Sequence, residues 1–235
     1  MARLSVLRFF REQYSKQKPV VKLDLAGKVV VVVGANTGLG FEACEHFASM
    51  NPKRLIMGCR NKRKGEEAVS SKFGPPRASN FTQFRFSELQ AETGYKNAEL
   101  WIIDLASFTS VKSLAENFEK QCNRLDILVE NAGILAPPKY ETTEDGWASI
   151  LQVNAIAPAL HALLLPIMLK TAREYSVTPR IVNVSSDLHY ITTLPTDKKV
   201  ISGNSMLLEE MSTEGYFKRT GHTPKYNDTK CEFSL

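Results

Sequence analysis

Short apolar runs alternate along this chain with longer segments whose apolar residues recur every three or four positions. Lys28–Val33 is β-branched and wholly apolar after its first residue, the pattern of a strand buried on both faces. A glycine turn follows, then a helix from about Phe41 to Met50 with Phe41, Cys44, Phe47 and Ala48 on one side. Pro52 closes that helix, and Arg54–Cys59 is a second buried strand. Lys62–Lys72 reads as a charged helix and Leu100–Ile103 as a third strand. Ser107–Gln121 is a helix that turns Val111, Leu114, Ala115 and Phe118 inward. Leu125–Val129 is a fourth strand, Asn154–Tyr175 a long helix interrupted by Pro158 and Pro166, and Arg180–Val184 a fifth strand. Strands separated by helices pair in parallel through right-handed crossovers, so the pattern predicts an α/β fold with a doubly wound parallel sheet.

Two segments break the rhythm. Phe73–Glu88 contains Gly74-Pro75-Pro76 and no periodicity, as expected of an inserted loop. Tyr190–Thr223 is polar and rich in Thr, Ser and Gly, with one short helix expected near Asn204–Met211. It occupies the place of a substrate lid or of a loose surface loop.

Composition fits one soluble domain over residues 25–235, preceded by a basic arm over residues 1–24. The chain has 235 residues, of which 43% are hydrophobic and 23% charged. Its net charge of +5 belongs entirely to residues 1–22, where six basic groups (Arg3, Arg8, Arg11, Lys16, Lys18, Lys22) face one acid, Glu12. The balanced remainder argues against a nucleic-acid partner. With Leu4, Val6, Leu7, Phe9 and Phe10, the arm either packs on its own domain or makes peripheral contact with an anionic membrane. Cys44, Cys59, Cys122 and Cys231 are too scattered for a metal or disulfide framework and read as cytosolic thiols. No apolar run approaches the roughly 20 residues of a membrane span, so a cytoplasmic protein is expected.

The chemistry is concentrated in a few motifs. Gly34-Ala35-Asn36-Thr37-Gly38-Leu39-Gly40 joins the first strand to the first helix. Glycines there let the backbone turn sharply and approach a pyrophosphate, which the helix N-terminus favours through free N–H groups and its dipole. An acid at the end of the second strand would bind a ribose 2′-OH. This chain has Arg60 there, followed by Lys62 and Arg63, which suits a 2′-phosphate and favours NADP (NADPH) over NAD. Tyr-x-x-x-Lys occurs twice, as Tyr14/Lys18 and Tyr226/Lys230; only the second follows a strand ending in Ser185-Ser186. A tyrosine needs its phenolate stabilised to act near neutral pH, and a lysine one helical turn away supplies the charge.

From about Leu25 to Lys230 the chain resembles the short-chain dehydrogenase/reductase family, within it the retinol-dehydrogenase-like branch that includes fungal members. The matching segments, in order, are Val33–Gly40, Cys59-Arg60-Asn61, Asp104-Leu105-Ala106-Ser107, Asn131-Ala132-Gly133, Val153-Asn154, Asn183–Ser186 and Tyr226/Lys230. The resemblance implies a Rossmann-like fold and hydride transfer between a nicotinamide cofactor and a small, apolar carbonyl or alcohol substrate. It implies that Gly34, Asn36, Thr37, Gly38, Leu39 and Gly40 cradle the cofactor and that Asp104, with Leu105, contacts the adenine. By the same resemblance Asn131 and Ala132 line a ribose, Asn154 holds a relay water and Ser186 holds the substrate oxygen. Tyr226 is then the acid/base, and Lys230 binds the nicotinamide ribose and lowers the tyrosine's pKa.

Three departures matter. Val33 stands where the family has Thr, and Glu130 replaces the first Asn of Asn-Asn-Ala-Gly, placing an acid in the sheet that needs a partner. His46, His161, His189 and His222 match no catalytic position. Family members also continue past the Tyr/Lys helix with two more strands and a substrate loop; with a complete C-terminus, a homodimer is the expected partner of this chain. This sequence ends with Cys231-Glu232-Phe233-Ser234-Leu235. Strand five (Ile181, Val182, Val184) is therefore expected to be an open edge, and the alternative to an enzyme is a catalytically incompetent dinucleotide-binding fragment. Cys-Glu-Phe can be encoded as TGTGAGTTT, which holds the intron donor GTGAGT, so a retained intron or misdrawn gene is the expected origin of the ending.

Overall fold

Five consecutive valines make β1, Val29–Val33, and all five are buried. β2 (Arg54–Cys59), β3 (Ala98–Ile102), β4 (Ile127–Glu130) and β5 (Arg180–Asn183) complete a sheet of order β3-β2-β1-β4-β5 in which every pairing is parallel. The computed structural model describes residues 11, 14–16, 18–60, 87–188, 207–220 and 222–231. The charged helix expected at Lys62–Lys72, the insertion as far as residue 86 and residues 190–206 and 221 of the polar segment lie outside the described residues. The last two residues of that insertion, Ser87 and Glu88, are helical instead of irregular and open a helix over 87–93 that buries Leu89 completely.

α1 (Gly38–Ser49) joins β1 to its parallel neighbour β2 and α3 (Ser149–Tyr175) joins β4 to its neighbour β5, whereas α2 (Phe108–Gln121) carries the chain from β3 across the sheet to β4 on the far side of β1. α2 starts at Ser107, whose hydroxyl accepts from the Ser110 N–H. The main core lies between β1, β2 and α1, where Val30, Val32, Phe41, Cys44, Leu55 and Met57 are all buried. At the opposite end of the strands Asp126 accepts from the Val29 N–H and takes both arms of Arg124, which in turn covers the Tyr175 ring at 4.1 Å.

α3 corrects the sequence reading. It begins five residues before Asn154 and passes both prolines without ending. A regular α-helix would pair the Asn154 carbonyl with an N–H at position 158, which proline lacks. The helix loosens into a π stretch over Gln152–Ile156, just before Pro158. It tightens into a 3₁₀ turn over His161–Leu164, so that Pro166 falls in the first turn of Leu165–Tyr175, where proline is tolerated. The continuous helix is long and apolar enough to cross a membrane, contrary to the expectation that no run comes close. Yet 65% of its most apolar window is buried inside the protein, as in a core helix.

The described residues gather into two compact units. One takes in Lys22–Ala132 and Pro158–Val184 and contains the sheet; the other includes Gly133–Ala157 and the described residues from Ser185 on. In the second, α4 (Leu207–Met211), α5 (Glu214–Thr220) and α6 (His222–Cys231) follow one another. This unit has its own small core of Ala148, Leu151, Ala155, Met211 and Tyr216. The described part of the expected lid is thus a packed pair of helices, not a loose loop.

β5 pairs only with β4 among the described strands, and all four of its residues are exposed. The expected open edge is present.

Candidate active site

In the sheet-bearing unit, the chain turns at Gly34 as it leaves β1. Gly34 has φ +81°, and a Cβ there would sit 2.7 Å from the Ala132 backbone. A Cβ on Gly40 would overlap the Gly34 carbonyl and Asn131 Nδ2. These two glycines are therefore required by close packing, and Gly38 by its φ of +54°. Asn131 Nδ2 donates to the Gly34 carbonyl at 3.0 Å, which ties the end of β4 to the end of β1. Strand order reverses between these two strands, where open α/β sheets bind ligands.

Beside this turn the N-terminus of α1 has no side-chain cap and no acidic residue in its first turn, with Thr37 and Leu39 exposed. Its first N–H groups have no partner within the helix. Arg60 is exposed just past β2, whose Gly58 carbonyl accepts from the Gly34 and Ala35 N–H groups. The Asp104 carboxylate accepts from the Ala106 N–H within its own turn, and Leu105 is buried behind it. Narrow glycine contacts, an uncapped helix start and an exposed guanidinium fit a dinucleotide phosphate.

Glu130 meets the need for a partner that its burial creates. His161 Nδ1 lies 2.6 Å from Glu130 Oε1, with both side chains at most 4% exposed. The alignment is poor, and neither side chain makes a well-formed hydrogen bond with a described group. His161 is thus the buried partner of the acid that departs from the family pattern. Val33, the other departure, is 1% exposed in the core, where a hydroxyl would itself need a partner.

The second unit brings Asn154 and Lys230 together at Gly133. A Cβ on Gly133 would come 3.2 Å from Lys230 Nζ and 3.3 Å from Asn154 Oδ1. Asn154 Oδ1 accepts from the Ile134 N–H at 2.7 Å, and Nδ2 donates to the Ile134 carbonyl and to Thr229 Oγ1. One Oδ1 lone pair is left over. Burial holds the Lys230 ammonium below the ordinary lysine pKa. Tyr226, half-buried, precedes it by one turn of α6, and its carbonyl accepts from Thr229 Oγ1. Ser185 donates to the Lys230 carbonyl at 2.8 Å, while Ser186 Oγ accepts from the Leu188 N–H. Ser185 thus holds backbone, and Ser186 is engaged within its own turn.

Three positions escaped the sequence reading: Thr229, which links Asn154 to α6, Asp228 and Tyr216. Thr229 and Asp228 are interior letters of Tyr-x-x-x-Lys and carry no signal of their own. Tyr216 is an aromatic residue in a polar stretch that was read as loop.

The sequence profile of the short chain dehydrogenase family matches residues 28–191. A short chain dehydrogenase/reductase, dmxR8, of Cryptosporiopsis sp. is 32% identical over 188 residues, covering 80% of this chain and 53% of the relative. Human retinol dehydrogenase 12 is 35% identical over 175 residues, covering 74% of this chain and 48% of its own. The chain thus spans about half the length of these curated relatives. A metagenomic short-chain oxidoreductase solved in complex with NADP superposes with a TM-score of 0.57 at 18% identity, covering 90% of this chain and 73% of that one. Several other solved relatives of the fold hold NADP or NADPH.

Proposed function

Because the chain belongs to the short-chain dehydrogenase/reductase family, in its retinol-dehydrogenase-like branch, we propose that it is a cytoplasmic NADP-dependent oxidoreductase acting on a small, apolar carbonyl or secondary alcohol. The observation that carries this reading is the convergence of Lys230 Nζ and Asn154 Oδ1 at Gly133, with Tyr226 one turn away on α6. Gly34, Gly38, Gly40 and the uncapped start of α1 would hold the pyrophosphate, Asn131 with Ala132 a ribose, and Arg60 the 2′-phosphate. Bound NADPH would supply hydride from its nicotinamide ring.

The chain's own part is the proton. Tyr226 donates it to the substrate oxygen during reduction and takes it back during oxidation. The Lys230 ammonium stabilises the phenolate left behind; burial strengthens that interaction and also makes the lysine readier to give up a proton. The free lone pair of Asn154 can orient a water that replenishes the proton. Ser186 steadies the substrate oxygen once its hydroxyl turns from the Leu188 N–H.

A second reading, a dinucleotide binder without turnover, is favoured by the exposed edge of β5. NADPH oxidation by the 235-residue chain against a panel of aldehydes and ketones separates the two, with NADPH binding measured alongside. Turnover that disappears in Tyr226→Phe while cofactor still binds supports the oxidoreductase. Binding without turnover on any carbonyl supports the second reading.

A further inference from the structure

α6 is docked in an unusual way. An isolated helix of ten residues is marginal in water and normally depends on an apolar face for its stability. Here the fully buried residues in the described part of α6 are Asn227, Asp228, Thr229 and Lys230, all polar. Among the described side chains, hydrogen bonds engage three of these four buried positions. Asn154 reaches Thr229 and Ser185 reaches the Lys230 carbonyl, both from residues already placed in the candidate site. Asp228, 1% exposed, is met from elsewhere: the Tyr216 hydroxyl, on α5, donates to its carboxylate.

Tyr216 is itself firmly seated. It is 4% exposed in the small core with Met211, Ala148, Leu151 and Ala155. The α4–α5 segment that carries it is fixed at Ser212, whose hydroxyl accepts from the Ala148 N–H and whose carbonyl accepts from the Tyr140 hydroxyl. A rigid phenol therefore points at a buried carboxylate two residues from both Tyr226 and Lys230.

We propose that Tyr216 and Asp228 form a positioning pair that fixes α6 on the α4–α5 segment and so sets the placement of Tyr226 and Lys230. The kinetic part rests on the oxidoreductase reading above; the structural part does not. A charged acceptor makes the hydrogen bond strong, and burial makes its loss costly to the helix. Small displacements of acid/base groups are expensive in rate, about a hundredfold for one ångström.

Amide hydrogen exchange on the 235-residue chain tests the pair without requiring activity. Tyr216→Phe is expected to speed exchange across residues 222–231 by about tenfold and to leave β1 and β2 unchanged. Asp228→Ser reads the same bond from the other side and should speed the same amides. Asp228→Asn keeps an acceptor for the phenol and should stay close to the parent. Tyr95→Phe, which loses a buried phenol bond to the Pro52 carbonyl in the sheet-bearing unit, should leave 222–231 unchanged.

In the NADPH assay, Tyr216→Phe should lower kcat by about tenfold to a hundredfold with the carbonyl KM little changed. Its kcat–pH profile should differ from the parent's, because Tyr226 and Lys230 are displaced together. Asp228→Asn should restore the parent profile. Parent-like exchange in Tyr216→Phe, or equal loosening by Tyr95→Phe, overturns the pair. An inactive parent would overturn the oxidoreductase reading alone, and exchange would still decide the pair.

Discussion

His161→Leu should be among the most damaging single substitutions in the sheet-bearing unit, although His161 stands outside the candidate site. Its side chain is 2% exposed and that of Glu130 is 4% exposed, so solvent cannot take over for either partner. Removing one member of a buried ion pair typically costs about 3–5 kcal/mol, because the other is left charged and dry. A leucine of similar volume leaves little cavity, so most of that cost would come from the stranded carboxylate. Glu130→Met alone should be milder, since a neutral imidazole is less costly to bury than a carboxylate. The double variant Glu130→Met/His161→Leu removes both polar groups and should recover to within about 1 kcal/mol of the parent, or exceed it. Urea unfolding of the four proteins, read through the circular dichroism of the sheet and helices, gives the cycle. Additive losses in the double variant, or a loss below about 1 kcal/mol for His161→Leu, would refute the reasoning. Either result would mean that the two groups are not energetically paired despite their 2.6 Å approach.

The other expectations are narrower. Arg60→Asp should weaken NADPH binding by about tenfold and leave NADH nearly unchanged in a titration of cofactor fluorescence, since only the 2′-phosphate contact is lost; equal loss for both would remove the NADP assignment. Ser186→Ala should cut kcat severely and Ser185→Ala mildly, because Ser185 holds a backbone carbonyl; the reverse order would exchange their roles. Lys230 has its pKa lowered by burial, so the unfolded chain binds that proton more tightly than the folded one. Stability should therefore climb as pH rises from the folded value towards the ordinary lysine value of about 10.4, and Lys230→Met should flatten that climb in urea midpoints.

Where one physical rule dominated, the sequence was readable. Five valines can hardly be anything but a buried strand, and the glycine positions answer to contacts that a Cβ would violate. Ser107 announces α2 as a cap. Elsewhere a second rule overrode the first. Pro158 and Pro166 signalled interruptions, but a π stretch and a 3₁₀ turn carried the helix past them. β4 was expected to end at Val129; it runs one residue further, where Glu130 pairs with Val33 and Asn183 in the sheet and His161, from another part of the chain, lies beside the acid. Tyr216 and Asp228 lie close in sequence, yet nothing in a polar stretch reveals that both are buried. Local patterns report on propensity and periodicity, whereas these pairings depend on three-dimensional neighbours.

The polar seating of α6 sets how that helix responds to temperature. Heat capacity rises when apolar surface meets water and falls when polar surface does. Releasing Asn227, Asp228, Thr229 and Lys230 exposes mostly polar groups, whereas opening β1 exposes Val29–Val33 and their apolar neighbours. Undocking of α6 should therefore follow a nearly straight van 't Hoff line, while unfolding of the sheet follows a curved one. Cooling then strengthens the seat of Tyr226 even as it weakens the apolar hold on the sheet. In the cold, α6 would be among the last elements to loosen.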